Sequence, residues 1–145
     1  MKLKLLFAAI LISFAFASKA QITVDVFING VKSGQYIMKN DKDSAGLSYK
    51  KKDYKSIDRL SVQLSGKGFK KGYLRKMEVK NSKDEQLFIV DETVGAEGQF
   101  VLTDKKVLKS LISGKPVKLY LHLTPGNTLS KEQPSVKYIG SLWRQ

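Results

Sequence analysis

The chain is 145 residues long, contains no cysteine, and sets 26 lysines and arginines against 13 acids for a net charge of +13. Without cysteine there are no disulfides, thiolate zinc sites, iron–sulfur clusters or cysteine nucleophiles, so a fold must rest on apolar packing and backbone hydrogen bonding. Arg59, Arg75 and Arg144 are the only arginines, and a surplus made of lysine suits diffuse attraction to anions better than paired, fork-like recognition of them.

Residues 1–20 read as an export signal. Lys2 and Lys4 form a basic head, Leu5 to Ala17 an apolar stretch, and Ser18-Lys19-Ala20 ends in small residues that suit a signal peptidase. The apolar stretch is too short for a transmembrane anchor, which needs about 20 residues. The residue after the expected cut is Gln21 and not Cys, so a thioether lipid anchor is excluded. The expectation is a cleaved signal over 1–20 and a single β-rich domain over 21–145, periplasmic or secreted, with no transmembrane anchor once the signal is gone. Losing Lys2, Lys4 and Lys19 lowers the charge from +13 to +10.

Ile22, Val24, Val26 and Ile28 alternate with Thr23, Asp25, Phe27 and Asn29, the period of a strand with one buried face. Asn29-Gly30 predicts a turn and a returning strand through Lys39. A two-residue turn would bury Ser33 and Gln35, whereas a loop of three or five residues would bury Tyr36 and Met38; apolar contact favours the longer loop. After the polar loop from Asn40 to Gly46, Leu47 and Tyr49 begin a short strand that ends in Lys50-Lys51-Lys52. Leu60, Val62 and Leu64 alternate through the next strand, and Ser65 to Lys71 form a glycine-rich connection that reads as a hairpin.

Tyr73, Met77 and Val79 alternate through a further strand in which Arg75 breaks the face. The run Leu87-Phe88-Ile89-Val90 predicts a strand covered on both faces near the middle of a sheet. Phe100 and Leu102 mark a shorter one. Val107, Leu108, Leu111 and Ile112 have helical spacing, with Thr103 or Asp104 to cap the start, Gly114 the end and Pro116 beyond, which predicts one short helix near residues 104–113. Val117, Leu119, Leu121 and Leu123 alternate cleanly, and Val136 to Trp143 supply a last, irregular apolar segment. About eight strands without helical crossovers predict an all-β, mostly antiparallel two-layer sandwich or small barrel.

His122 is the only histidine and shares a strand face with Lys118 and Tyr120. One histidine cannot build a histidine metal site, and a triad needs a nucleophile and an acid beside it. Asp41, Asp43 and Gly46 open like a calcium loop, but Ala45 and Lys52 stand where ligands are needed. Gly66, Gly68 and Gly72 match no phosphate-binding spacing. Neighbouring acids Asp84-Glu85 and Asp91-Glu92 point to opposite strand faces, leaving Glu92 with Glu97 across a turn, or Asp25 with one of them, as carboxylate pairs for a small extracytoplasmic hydrolase. No metal, cofactor or catalytic residue is assigned.

Two cationic segments interleave with aromatics. One runs from Tyr49 through Lys50, Lys51, Lys52 and Tyr54 to Lys55, and the other from Lys67 through Lys70 and Lys71 to Tyr73. Rings beside ammoniums can stack on sugars or bases while the ammoniums hold anionic groups. The plainer reading is that Tyr49 and Tyr73 are core residues at strand ends and that the lysines protect sheet edges; the two are compatible. The binding residues expected are Lys50, Lys51, Lys52, Tyr54, Lys70, Lys71 and Tyr73. The leading functional expectation is a non-catalytic exported binding or accessory module whose basic loops dock on an anionic glycan, a lipid headgroup or an acidic protein. Nucleic acid, the usual partner of such charge, is not expected in that compartment. A hydrolase or a secreted enzyme inhibitor are the alternatives.

Overall fold

The computed structural model describes residues 21–39, 44–50, 55–67, 72–127, 129 and 131–145. Within them the chain runs through β1 (Ile22–Ile28), β2 (Val31–Met38), β3 (Ala45–Tyr49), β4 (Leu60–Ser65), β5 (Tyr73–Lys80), β6 (Gln86–Asp91), β7 (Gln99–Leu102), helix α1 (Lys105–Ile112), β8 (Val117–Pro125) and β9 (Ser135–Arg144). Four strands form one sheet in the order β2-β1-β4-β7, and five form the other in the order β3-β9-β8-β5-β6. Neighbours are antiparallel except β3 and β9, which are parallel. The expected all-β sandwich is present, with nine strands instead of about eight.

Alternation builds the core. Val24, Val26, Ile28, Leu60, Val62 and Leu64 of the four-stranded sheet are buried against Met77, Val79, Leu119, Leu121 and Leu142 of the five-stranded one. The helix follows its apolar stripe: Val107, Leu108 and Leu111 are buried, and the Asp104 carboxylate accepts from the amides of Lys106 and Val107 at 2.8 and 3.2 Å. Its far end is held by two side chains from strand ends. The Tyr49 hydroxyl donates to the Leu111 carbonyl at 2.5 Å, and Arg144 donates to that of Ile112 at 2.7 Å, so carbonyls left open by the last turn are satisfied. The helix thus lies across the end of the five-stranded sheet at which β3 and β9 finish.

Three expectations need correction. Asn29 and Gly30, at φ 51° and 82°, make a two-residue turn with Ile28 opposite Val31, not a longer loop. Tyr36 and Met38 nevertheless face inward opposite Val24 and Ile22, because Ser33 is the extra residue of a β-bulge that shifts the ladder and exchanges the faces. The run Leu87–Val90 belongs to β6, which is an edge strand with Ile89 exposed; its inner side chains Phe88 and Val90 pack on the core, and the helix contacts the strand. The connection after Ser65 is no hairpin, since β4 and β5 lie in different sheets.

The parallel pairing of β3 with β9 depends on Gly140. A Cβ there would lie 2.0 Å from the Ala45 carbonyl oxygen, and the backbone φ of 152° is itself glycine territory. Gly140→Ala is expected to destabilise the fold by about 3 kcal/mol or more, against about 1 kcal/mol for Gly95→Ala, whose φ is also positive but which has no neighbour within 4 Å. Urea unfolding of the two variants checks this; equal losses would contradict it.

Candidate functional site

Of the residues expected to bind, Lys50 and Tyr73 can be placed; Lys51, Lys52, Tyr54, Lys70 and Lys71 lie outside the described residues. Lys50 follows β3, is exposed, and stands at the end where Tyr49 pairs with Arg144 and Val117 with Leu142. Tyr73 is half-buried at the other end of the same sheet, opposite Pro125. The structure therefore does not bring the two together. Tyr49 is the core residue that the plainer reading expects. Burial pushes its hydroxyl pKa up, with Arg144 pulling weakly the other way, so it stays a protonated donor to Leu111.

Around the helix C-terminus a cationic pole is assembled. A small cavity lined by Tyr49, Lys55, Ser56, Ile57, Leu111, Ile112 and Arg144 places Lys55 and Arg144 beside the last turn. Lys109 lies in that turn and Lys115 just beyond it, both exposed, where the negative end of the helix dipole favours them. None of Lys50, Lys55, Lys109, Lys115 or Arg144 makes an ion pair among the described residues. Four lysines on the sheets are matched: Lys32 with Asp25 at 2.7 Å, Lys76 with Asp91 at 3.5 Å, Lys80 with Glu78 at 3.7 Å and Lys118 with Asp84 at 2.8 Å.

The outer face of the five-stranded sheet is the second chemically dense surface. Strand pairing sets Tyr138, Tyr120, Glu78 and Ile89 in one row across it, and Val136, His122, Lys76 and Asp91 in the next. Tyr120 and Tyr138 have ring centroids 5.1 Å apart, and the Lys80 ammonium sits 4.8 Å over the Tyr120 ring. Glu78, only 7% exposed, meets His122 Nε2 at 2.6 Å. His122 does share its face with Lys118 and Tyr120, but no nucleophile is hydrogen-bonded to it among the described residues. The β5–β6 hairpin is docked here by Asp84, which accepts from Lys118 at 2.8 Å and more weakly from the Tyr120 hydroxyl at 3.4 Å. The Lys118 hydrogen bond holds the Asp84 carboxyl below its ordinary value and raises the Lys118 ammonium in return.

Glu92 and Glu97 do converge, on an arginine. Arg75 Nη1 donates to both Glu92 oxygens at 3.1 and 3.3 Å, and its Nη2 lies 3.6 Å from Glu97. The Gly98 amide also donates to Glu92, and the Thr93 amide donates to Gln99 at 2.7 Å. The side chain of Arg75 is 3% exposed, and the cluster pins the β6–β7 connection along an open groove of about 760 Å³. A glycosidase needs its scissile bond between two carboxyls; here a guanidinium stands there. Asp25 is engaged on the other sheet by Lys32 and by Gln35 at 2.7 Å. Among the described residues no group of three or more His, Asp or Glu is placed to hold a metal ion.

Sequence reasoning missed the Glu78–His122 and Asp84–Lys118 pairs, which join residues far apart in the chain. Alternation puts Glu78, Lys118 and His122 on outer faces and says nothing of Asp84 in the β5–β6 turn, and only strand order makes them neighbours. No known protein family, curated protein or solved structure matches the chain, so a functional reading rests on the geometry just described.

Removing one partner of the buried pair, Arg75→Met, leaves Glu92 without its cation and is expected to cost about 3 kcal/mol in urea unfolding; an unchanged midpoint would contradict the role given to Arg75. Because the folded-state pKa of Asp84 is depressed, its contribution is present above the unfolded value and lost as pH falls through the folded one. NMR signals of Tyr120 are expected to report a docked hairpin at neutral pH, released only below the ordinary carboxylate value of 3.8. Asp84→Asn should remove that acid step.

Proposed function

We propose that this chain is an exported, non-catalytic binding module whose cationic pole docks on an anionic partner. The observation that carries the reading is the contrast between lysines. Lys32, Lys76, Lys80 and Lys118 on the sheets are matched by acids, whereas Lys50, Lys55, Lys109 and Lys115 gather at one end with no acid in ion-pairing reach among the described residues. The helix dipole favours Lys109 and Lys115 at that end, but it does not call for Lys50 and Lys55 beside them, and like charges crowded together oppose folding. The lock of Tyr49 and Arg144 on the helix end gives that charge a fixed frame. Export is supported by the basic head and short apolar stretch of residues 1–20, and that compartment favours an envelope glycan, a lipid headgroup or an acidic protein over nucleic acid. The engagement of Glu92 and Glu97 by Arg75 favours binding over hydrolysis.

The test uses three probes: polygalacturonate, polyglutamate and vesicles of anionic phospholipid. Binding of at least one is expected to fall steeply between low and physiological salt. Changing Lys50, Lys55, Lys109 and Lys115 together to Glu should weaken it by about a thousandfold, at about 1 kcal/mol per cation near a charged surface. Affinity that ignores both salt and the four substitutions would overturn the proposal.

A further inference from the structure

Beside the pole runs a strip of exposed aromatic surface on β9. Trp143 and Tyr138 point outward, 37% and 38% exposed, with Ser141 between them and Val136, 58% exposed, beyond. The solvent face of a sheet is ordinarily polar, so large rings there call for an explanation. The indole has a seat made for it. A Cβ on Gly46 of the neighbouring strand would come within 3.1 Å of Trp143 Cη2, so the glycine leaves the room in which the partly exposed ring reaches that strand. Tyr138 is held by its hydroxyl at 2.6 Å from Ser141 Oγ and by its contact with the Tyr120 ring.

We infer that this strip is a saccharide-binding surface and that the anionic partner of the module is an acidic polysaccharide. The inference rests on the reading of the pole as an anion-docking site and names its ligand. Tyr138 reaches toward Ser141 through its hydroxyl, and the Trp143 ring reaches Gly46, which pairs with Ser141, so the two rings border one compact patch around Ser141. Flat rings on a strand suit the C–H face of a sugar, and on the neighbouring strand Tyr120 and His122, held by Asp84 and Glu78, border the patch with polar edges. Charge complementarity sets the direction. Arg144 directly follows Trp143, and Lys50 follows Tyr49, the residue paired with Arg144, so the Trp143 end of the strip opens onto the pole. A chain lying along β9 would stack its rings on Tyr138 and Trp143 and deliver carboxylates or sulfates to Arg144, Lys50 and Lys55. A lipid headgroup or an acidic polypeptide needs the cations but has no use for the strip.

Trp143 is the only tryptophan in the chain, so intrinsic fluorescence of the full mature protein reports on the strip directly. Titration with oligogalacturonate is expected to quench and blue-shift its emission, and an uncharged glucose oligomer of equal length should do so only at far higher concentration. Polyglutamate should bind the pole without altering the emission. By calorimetry, Tyr138→Ala and Trp143→Phe should each weaken oligogalacturonate binding, the former about tenfold, while leaving polyglutamate binding unchanged. Silent emission at saturating oligogalacturonate, or equal loss of both probes in Tyr138→Ala, would overturn the strip and leave the pole standing. Failure of the wild-type protein to bind any polyanion would overturn the pole and the strip with it.

Discussion

Two apolar sheet faces pressed together, with a helix laid across one end, carry the stability of a chain that has no covalent cross-link. Each fully buried valine, leucine or isoleucine contributes about 1.5–3 kcal/mol, and that sum has to offset the ordering of every strand. The end of such a sandwich is its weak point, since the strands stop there and the core would open to water. Helix α1 closes it with Val107, Leu108 and Leu111. Tyr49 and Arg144, the last residues of β3 and β9, satisfy the carbonyls of its final turn. Closure of the sandwich and placement of Arg144 thus use the same contacts.

Lysine placement separates what folding needs from what it does not. Asp84 with Lys118 ties a hairpin to a sheet, and Arg75 with Glu92 ties down a connection. Lys105 and Lys106 stand in the first helical turn, against the dipole, with no acid beside them in that turn. A sequence selected for stability alone would put acids there. The Asp104 carboxylate at the cap offsets these lysines in part, and the exposed positions of the helix carry Lys105, Lys106 and Lys109 and no acid, in keeping with the partner proposed for it.

How much of this was legible in the sequence varied with the range of the interaction. Period-two alternation placed the buried faces of β1, β4 and β8 correctly, and the cap, stripe and glycine stop located the helix to within a residue or two, because these signals are local. The turn at Asn29-Gly30 was misread for a physical reason. Composition demands that Tyr36 and Met38 face inward, and either a longer loop or a bulge achieves that; the chain uses a bulge at Ser33, which leaves no mark in the alternation. The apolar run of β6 suggested a central strand, but an edge strand half-covered by a helix satisfies the same residues. Partners across the sheet, such as Glu78 with His122 or Trp143 with Gly46, depend on strand order, which no local pattern encodes. Of the expected binding residues that are described, Lys50 fell at the pole and Tyr73 at the opposite end of the same sheet, a separation that composition does not encode.

The central claim is that recognition of a polyanion happens at the end of the sandwich closed by the helix. Amide chemical-shift mapping of the isotope-labelled protein during titration with oligogalacturonate tests it most directly. Perturbations are expected to concentrate at Lys50, Lys55, Lys109 to Lys115 and Tyr138 to Arg144. Perturbations confined to the opposite end, around Gly72, Tyr73 and Gly126, would contradict it.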